Sequence, residues 1–90
     1  MQVTVRPFGI VRAVLGQKSF LLDLSEVDTV RDAVDQLTEM GGPEARNILL
    51  SPDGNSLKVR AVVDGKAASL DSLLRDGAEL SLMLPIGGGA

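Results

Sequence analysis

Apolar and polar residues alternate in two short segments near the start of the chain. Val3 and Val5 alternate with polar side chains over residues 1–6, which is the period of a strand with one buried face. Residues 18–24 repeat this period and predict a second strand. The inward side chains of the second strand would be Phe20, Leu22 and Leu24.

The apolar period becomes helical near Thr29. Thr29 is a natural N-cap, and Asp32 three residues later favours the first turn of a helix. Arg31 and Asp35 are spaced to pair on the solvent side of that helix. Its buried stripe would consist of Val30, Ala33, Val34, Leu37 and Met40.

Glycine and proline at positions 41–43 end this main helix, because glycine adopts the left-handed cap and proline cannot continue the helix. Residues 43–50 predict a short second helix with proline in its first turn. The elements predicted beyond it are a turn at 51–55, a strand at 57–63, a tight Asp64-Gly65 hairpin into residues 66–68, a helical turn at 70–74, a turn at Asp76-Gly77 and a strand at 78–84.

The order of these elements is hairpin, helix, hairpin, strand. It predicts an α+β protein with the β-grasp (ubiquitin-like) arrangement, in which a mixed sheet of four to five strands packs on one main helix. The helix is the crossover that lets the last strand run parallel to the first in the middle of the sheet. We expect a β-grasp domain over residues 1–84 and a flexible glycine-rich C-terminal tail over residues 85–90, which could extend roughly 20 Å.

Composition narrows the function. The chain of 90 residues has no histidine and no cysteine, so it offers no Ser–His or Cys–His pair and no thiolate metal site, and we expect neither catalysis nor a metal site. A net charge of −3 and only two aromatic residues, Phe8 and Phe20, argue against nucleic-acid binding. Because no apolar run matches a bilayer span, we expect a cytoplasmic protein without membrane contact.

Five short segments, in this order and at this spacing, resemble the MoaD/ThiS family of sulfur carriers and the related archaeal ubiquitin-like modifiers. Residues 8–16 (FGIVRAVLG) look like the family's Phe-Ala-x-Leu-Arg-Glu-x-x-Gly stretch, and residues 29–34 (TVRDAV) look like its helix start. Residues 62–66 (VVDGK) resemble its Val-Asn-Gly hairpin, and residues 74–80 (LRDGAEL) its Leu-x-Asp-Gly-Asp-Glu-Val stretch. Residues 84–88 (LPIGG) resemble its Pro-Pro-Val-x-Gly-Gly ending.

The resemblance implies a carrier with no catalytic side chains of its own. An E1-like adenylating enzyme would use ATP to activate the C-terminal carboxyl group of Gly88 or Gly89, and no cofactor would be bound by the carrier itself. The adenylate would become a thiocarboxylate for molybdopterin, tungstopterin or thiamine biosynthesis, with a pterin-synthase large subunit as a further partner. The alternatives are a ubiquitin-like modifier conjugated to lysines through the same tail, and a β-grasp interaction module that is not activated.

The last residue departs from the family pattern, since Ala90 follows Gly89. Either a peptidase, for instance of the JAMM type, cleaves between Gly89 and Ala90, or the chain is used with an alanine terminus, or it is not activated. We favour processing, because some relatives are made as precursors with extra residues.

A candidate partner surface comes from strand parity. Phe8 follows the first strand in phase with the outward Arg6, so it either belongs to an exposed apolar patch or caps the core. Val59, Ala61, Leu82 and Leu84 are predicted to face the helix. Arg60, Val62 and Met83 then fall on the solvent side of their strands, where they form either an interface or ordinary exposed positions. The candidate partner surface is therefore Phe8, Arg60, Val62 and Met83.

Overall fold

The computed structural model describes residues 1–25 and 28–85. Its elements, in chain order, are strand β1 (Gln2–Pro7), helix α1 (Gly9–Leu15), strand β2 (Phe20–Asp23), helix α2 (Val30–Leu49), strand β3 (Arg60–Val63), strand β4 (Lys66–Ala68) and strand β5 (Glu79–Met83).

The five strands form one mixed sheet in the order β2-β1-β5-β3-β4. Strand β5 is central, parallel to β1 on one side and antiparallel to β3 on the other, while β1–β2 and β3–β4 are antiparallel pairs. The β-grasp prediction, with the last strand beside the first, is thereby confirmed. The division into a domain over 1–84 and a tail over 85–90 stays a prediction, because residues 86–90 lie outside the described part of the chain.

The core lies between one face of this sheet and α2. Inward strand residues alternate with outward ones, as the sequence predicts, and Val3, Val5, Leu80 and Leu82 have no exposed surface. Leu37 of α2 is equally enclosed, with 1% of its surface exposed. No buried polar or charged residue occurs among the described residues, so this core is held by apolar contact. We call the opposite sheet surface the open face.

Helix α1 was not expected from the sequence and is a correction to the predicted β1–β2 hairpin. Phe8 is its N-cap but makes no side-chain cap hydrogen bond, and Gly16 ends it in the left-handed conformation with φ 83°. Only Val11 is fully buried along its seven residues. A helix this short, without a capping side chain, leaves little periodic signal.

Helix α2 begins as predicted and then kinks. Thr29 and Asp32 form a reciprocal capping box, with a carboxylate oxygen of Asp32 accepting from the Thr29 backbone N–H at 2.7 Å. Gly42 interrupts the helical conformation with φ 73° and ψ −158°, and Pro43 follows in the second segment. The predicted break and short second helix are confirmed, since a φ of this sign suits glycine and proline fits a first turn.

Two predicted features of α2 are wrong. Met40 is 58% exposed, because it lies in the turn that ends at the kink at Gly42, where the helical conformation is interrupted. Arg31 makes no ion pair with Asp35; its guanidinium donates instead to the backbone carbonyl oxygen of Gly54 at 3.0 Å. Burial along α2 therefore lapses after Leu37 and resumes in the second segment, where Ala45 and Leu49 are buried.

The second half of the chain contains three further corrections. The strand predicted at 57–63 is limited to β3, and Leu57 makes only an isolated bridge to Leu50. The helical turn predicted at 70–74 is reduced to one turn, in which the Ser72 backbone N–H donates to the Ser69 carbonyl oxygen at 3.1 Å, because Leu73 pairs with Thr29 in another isolated bridge. Leu84 is 42% exposed, since β5 ends at Met83 and the strand alternation stops there. The two-residue hairpin at Asp64-Gly65 is confirmed, with φ 49° and 84°.

Candidate functional site

Strand β5 carries the chain toward the predicted tail from the middle of the sheet. Its neighbours hold it on both sides: Val5 is in register with Leu80 of β5, and Ala61 with Leu82. The backbone N–H of Phe8 extends this pairing by donating to the carbonyl oxygen of Leu82 at 2.9 Å. We call residues 83–85 the tail root. A segment flanked by two strands leaves the domain from a fixed point.

An apolar depression lies beside the tail root. It is lined by Phe8, Gly9, Ile10, Met83 and Leu84. Phe8, Ile10 and Leu84 are 40%, 52% and 42% exposed. Three large apolar side chains exposed side by side differ from scattered surface leucines and are typical of an interaction site. We call these five residues the apolar surface.

The start of α1 brings two of these side chains together. Gly9 adopts φ 57° directly after Phe8, and a side chain there would be strained although nothing lies within 4 Å of its would-be Cβ. The sharp turn lets Phe8 and Ile10 line one depression although a helix begins between them. The exposed Phe8 means that the alternative reading, a cap over the core, is wrong.

Arg6 is tied to this surface from the open face. Its guanidinium carbon lies 5.7 Å from the centroid of the Phe8 ring, and its Nη1 atom lies 3.4 Å from a carboxylate oxygen of Glu79. Both partners of this ion pair are about half exposed, 50% and 49%, so its main effect is on orientation and not on stability. The cation over the ring restrains Phe8 at the rim of the depression.

The four residues predicted as a partner surface come together only in part. Phe8 and Met83 line the same depression, and Arg60 lies directly opposite Met83 in the β3–β5 register. Val62 is in register with Ser81, one outward position further from the tail root, and it does not line the depression. The role of these four residues in binding a partner stays a prediction.

Ile10 and Leu84 are members of the apolar surface that sequence reasoning missed. Leu84 was assigned to the buried face by extending strand alternation one step too far. Ile10 belongs to the unexpected helix α1. The signal that could have found both is a cluster of apolar residues immediately outside two strands that lie side by side, after Pro7 and after Met83.

The described residues offer little for chemistry of their own. They contain no group of three or more acidic side chains placed to hold a metal ion. Among them a pKa shift is clear only for Asp53, whose pKa is lowered by hydrogen bonds from the Ser51 hydroxyl at 2.6 Å and the Asn55 backbone N–H at 2.9 Å. That carboxylate belongs to a surface turn. No helix in the described ranges is long and apolar enough to cross a bilayer.

The glycines predicted to carry the reactive carboxyl group, Gly88 and Gly89, and the predicted processing site between Gly89 and Ala90 lie outside the described residues. What the described part contributes is the position from which they depart. Pro85, the last described residue, lines a groove together with Arg60, whereas Met83 and Leu84 belong to the apolar surface, so the tail root borders both features.

Comparison with known proteins places the chain in a family. The sequence model of the ThiS family matches residues 5–89. No curated protein matches the chain. The crystal structure of SAMP1, a small archaeal modifier protein from Haloferax volcanii, is similar with a TM-score of 0.87 at 27% identity, covering 99% of this chain and 100% of that one.

Two other solved structures share the fold. A putative molybdopterin converting factor, subunit 1, from Pyrococcus furiosus gives a TM-score of 0.78 at 24% identity, over 96% of this chain and 99% of that one. A chain of the BexX/CysO complex from Amycolatopsis orientalis gives 0.73 at 20% identity, over 93% and 96%. With the family match extending over nearly the whole sequence, the chain belongs to the ThiS family, the small ubiquitin-like sulfur carriers and modifiers with a β-grasp fold.

Proposed function

We propose that this protein is a sulfur carrier whose C-terminal glycine, Gly89 or Gly88, becomes a thiocarboxylate after removal of Ala90. An E1-like enzyme would activate the carboxyl group with ATP, and the sulfur would go to a molybdopterin, tungstopterin or thiamine precursor. The carrier would hold no cofactor. The observation that carries the proposal is the family match over residues 5–89, which includes the glycine-rich end.

The chemistry of the two steps assigns the catalytic groups to partners. A carboxylate oxygen of the terminal glycine attacks the α-phosphorus of ATP, pyrophosphate leaves, and an acyl adenylate forms. Sulfide (HS⁻) supplied by a partner then attacks the carbonyl carbon, and AMP leaves with the carboxylate oxygen, so the carboxyl becomes a thiocarboxylate. The chain needs only an accessible carboxyl group, which agrees with a sequence that has no histidine or cysteine.

The geometry of the tail root supports this role. Residues 86–90 can extend at most about 18 Å beyond Pro85, so the enzyme must contact the domain closely for its active site to receive the terminus. The apolar surface lies beside that exit and supplies area to bury against a partner. A pterin-synthase large subunit would use the same approach, because it must receive the same terminus.

The length of the tail gives the sharpest test. Chains ending at Ala90, Gly89 and Gly88 are purified and mixed with the E1-like enzyme of the same host, and ATP-dependent pyrophosphate exchange is measured. We expect exchange with one of the glycine-ending chains and little with the chain ending at Ala90. The matched control replaces the terminal glycine of the active length with alanine, which keeps the length and restores the methyl group. Failure of all three lengths to exchange would overturn the proposal.

A mass measurement on the chain isolated from its host then identifies the product. Loss of one alanine together with replacement of one oxygen by sulfur supports processing, by a JAMM-type or other peptidase, and the carrier role. An unchanged full-length mass favours a β-grasp interaction module whose end is not activated.

A second function, protein modification, is favoured by one comparison. SAMP1 from Haloferax volcanii, a small archaeal modifier protein, matches 99% of this chain at 27% identity. The same acyl adenylate would then be attacked by a lysine amine of a target protein, forming an isopeptide bond with release of AMP. Conjugates in host lysate that disappear when Gly88 and Gly89 are both replaced by alanine would support this reading, and their absence under all growth conditions tested would oppose it.

A further inference from the structure

Three arginines lie next to residues of the apolar surface, by contact, by sheet register or along the chain. Arg6 lies against the ring of Phe8, and Arg60 lies opposite Met83 and lines a groove with Pro85. Arg12 lies one helical turn beyond Phe8, and its backbone N–H donates to the carbonyl oxygen of Phe8 at 3.4 Å. All three arginines are exposed.

Acidic residues are missing from the same segments. The stretch from Arg6 to Arg12 contains no aspartate or glutamate, and neither does the tail root, although the whole chain has 12 acidic residues and a net charge of −3. Asp64 and Asp76 are held at the other end of the sheet, where their carboxylates accept from the backbone N–H groups of Glu79 and Gln2. Glu79 is paired with Arg6, and Asp71 lines the same groove as Arg60 and Pro85, so three arginines and two acidic residues leave an excess of positive charge around the tail root. This local excess is opposite in sign to the net charge of the protein.

Only one of the three arginines has an acidic partner among the described residues. The ion pair of Arg6 with Glu79 is the single salt bridge in residues 1–25 and 28–85, so Arg12 and Arg60 keep their charge uncompensated there. An exposed arginine without an internal ion pair is fully solvated and available to a partner. When it lies beside an exposed apolar surface, it can form part of the rim of an interface. Charge complementarity then indicates the chemistry of that partner.

We propose that Arg12 and Arg60 form a basic rim that selects a partner protein whose docking face has an apolar centre bordered by carboxylates. The inference rests on the proposed function in one respect: the partner used to test it is the activating enzyme. Exposed charges at a rim act mainly on the rate of association, because they steer the encounter before the apolar surfaces meet. Their effect falls with added salt, since the Debye length is about 8 Å at physiological ionic strength.

The test is a charge reversal with a matched control at the other end of the sheet. The double variant Arg12→Glu, Arg60→Glu changes the net charge by four negative units. The control changes one exposed arginine far from the surface, Arg75→Glu, in the turn before β5, and is compared with each single rim variant. Association with the host's E1-like enzyme is followed by stopped-flow fluorescence of a label on that enzyme, at low and at high salt.

At low salt, we expect each single rim variant to associate at least about threefold more slowly than the Arg75→Glu control. The double variant should associate at least about tenfold more slowly than wild type. The differences should shrink at high salt. Circular dichroism of each variant shows whether it is folded. If a glutamate variant unfolds, Arg12→Gln and Arg60→Gln replace it, because they remove the charge without reversing it.

The outcomes separate the two proposals. If the wild-type chain supports pyrophosphate exchange but the rim variants associate no more slowly than the control, the basic rim is wrong and the carrier proposal stands. Equal slowing by Arg75→Glu would mean that net charge alone matters, which also overturns the rim. If the wild-type chain neither binds nor exchanges, both proposals fail.

Discussion

Two neighbouring residues of β5 separate what holds the fold from what contacts a partner. Leu82 points into the core and has no exposed surface, whereas Met83 points to the other side, is partly exposed and lines the apolar surface. The perturbation is the same in both cases, truncation to alanine. Since strand alternation separates the two side chains, the two variants should lose different properties.

The expected loss of stability can be estimated from burial. Removing a fully buried leucine side chain costs about 3–5 kcal/mol, because the transfer term and the cavity add. A domain of this length has a free energy of unfolding of about 5–13 kcal/mol, so Leu82→Ala removes about a quarter of it or more. At about 4–8 °C per kcal/mol, the melting temperature should fall by at least about 12 °C. Met83→Ala should cost less, about 1–2 kcal/mol, because its side chain is partly exposed and its truncation leaves no enclosed cavity.

Urea denaturation followed by far-ultraviolet circular dichroism measures the free energy of unfolding of both variants. Equilibrium binding to the host's E1-like enzyme, below the melting temperature of each variant, measures docking. We expect Met83→Ala to weaken binding about tenfold and Leu82→Ala to leave the affinity of the folded fraction nearly unchanged. Equal destabilisation of the two variants, or a greater loss in Met83→Ala, would refute the assignment of the two faces.

Two further predictions concern the local backbone and a surface turn. Gly42→Ala should lower the free energy of unfolding, measured by urea denaturation, by about 1–3 kcal/mol. The backbone at this position, with φ 73° and ψ −158°, is strained for any residue with a Cβ, although no other atom would clash with that Cβ. An unchanged free energy of unfolding would mean that the kink relaxes to accommodate alanine. Asp53→Asn should destabilise the protein near neutral pH, and the difference from wild type should vanish on acidification, as seen in urea titrations at several pH values. The sign follows from the pKa of Asp53, which is lower in the folded protein than its ordinary value of 3.8. The ionised carboxylate therefore stabilises the fold at pH values above 3.8, and this stabilisation is lost as the pH falls through the lower pKa of the folded state. A difference in stability between variant and wild type that grows in acid would contradict this reasoning.

The sheet and the main helix could be predicted because their signals are local. The alternation at Val3 and Val5 indicates a strand, and the capping box is indicated by two residue types three positions apart, Thr29 and Asp32. The position of β5 beside β1 follows from a general rule, that a crossover through a helix joins parallel strands.

Features set by contacts between distant segments could not be predicted. The local sequence around Leu73 is typical of a helical turn, but its bridge to Thr29 holds the chain extended. No pattern in the neighbouring residues indicates that Thr29 is its partner. Helix α1 depends on the turn at Gly9 and on packing against α2, and its seven residues are too few for periodicity to decide. The candidate site was predicted in part for the same reason: Phe8 and Met83 follow from strand parity, whereas Ile10 and Leu84 depend on where the strands end.

The central place of β5 also bears on when the tail root comes into being. The β1–β5 pairs, such as Thr4 with Glu79, join opposite ends of the sequence, and nearly the whole chain must be ordered or looped out before they form. On a ribosome, β5 is the last strand of this sheet to emerge, so the β1–β2 and β3–β4 pairs cannot be joined into one sheet before β5 is available. An enzyme that recognises the tail root together with Phe8 and Ile10 therefore recognises a pair of segments that are neighbours only in a completed fold. Such an enzyme discriminates finished molecules from nascent or unfolded ones without any separate means of checking.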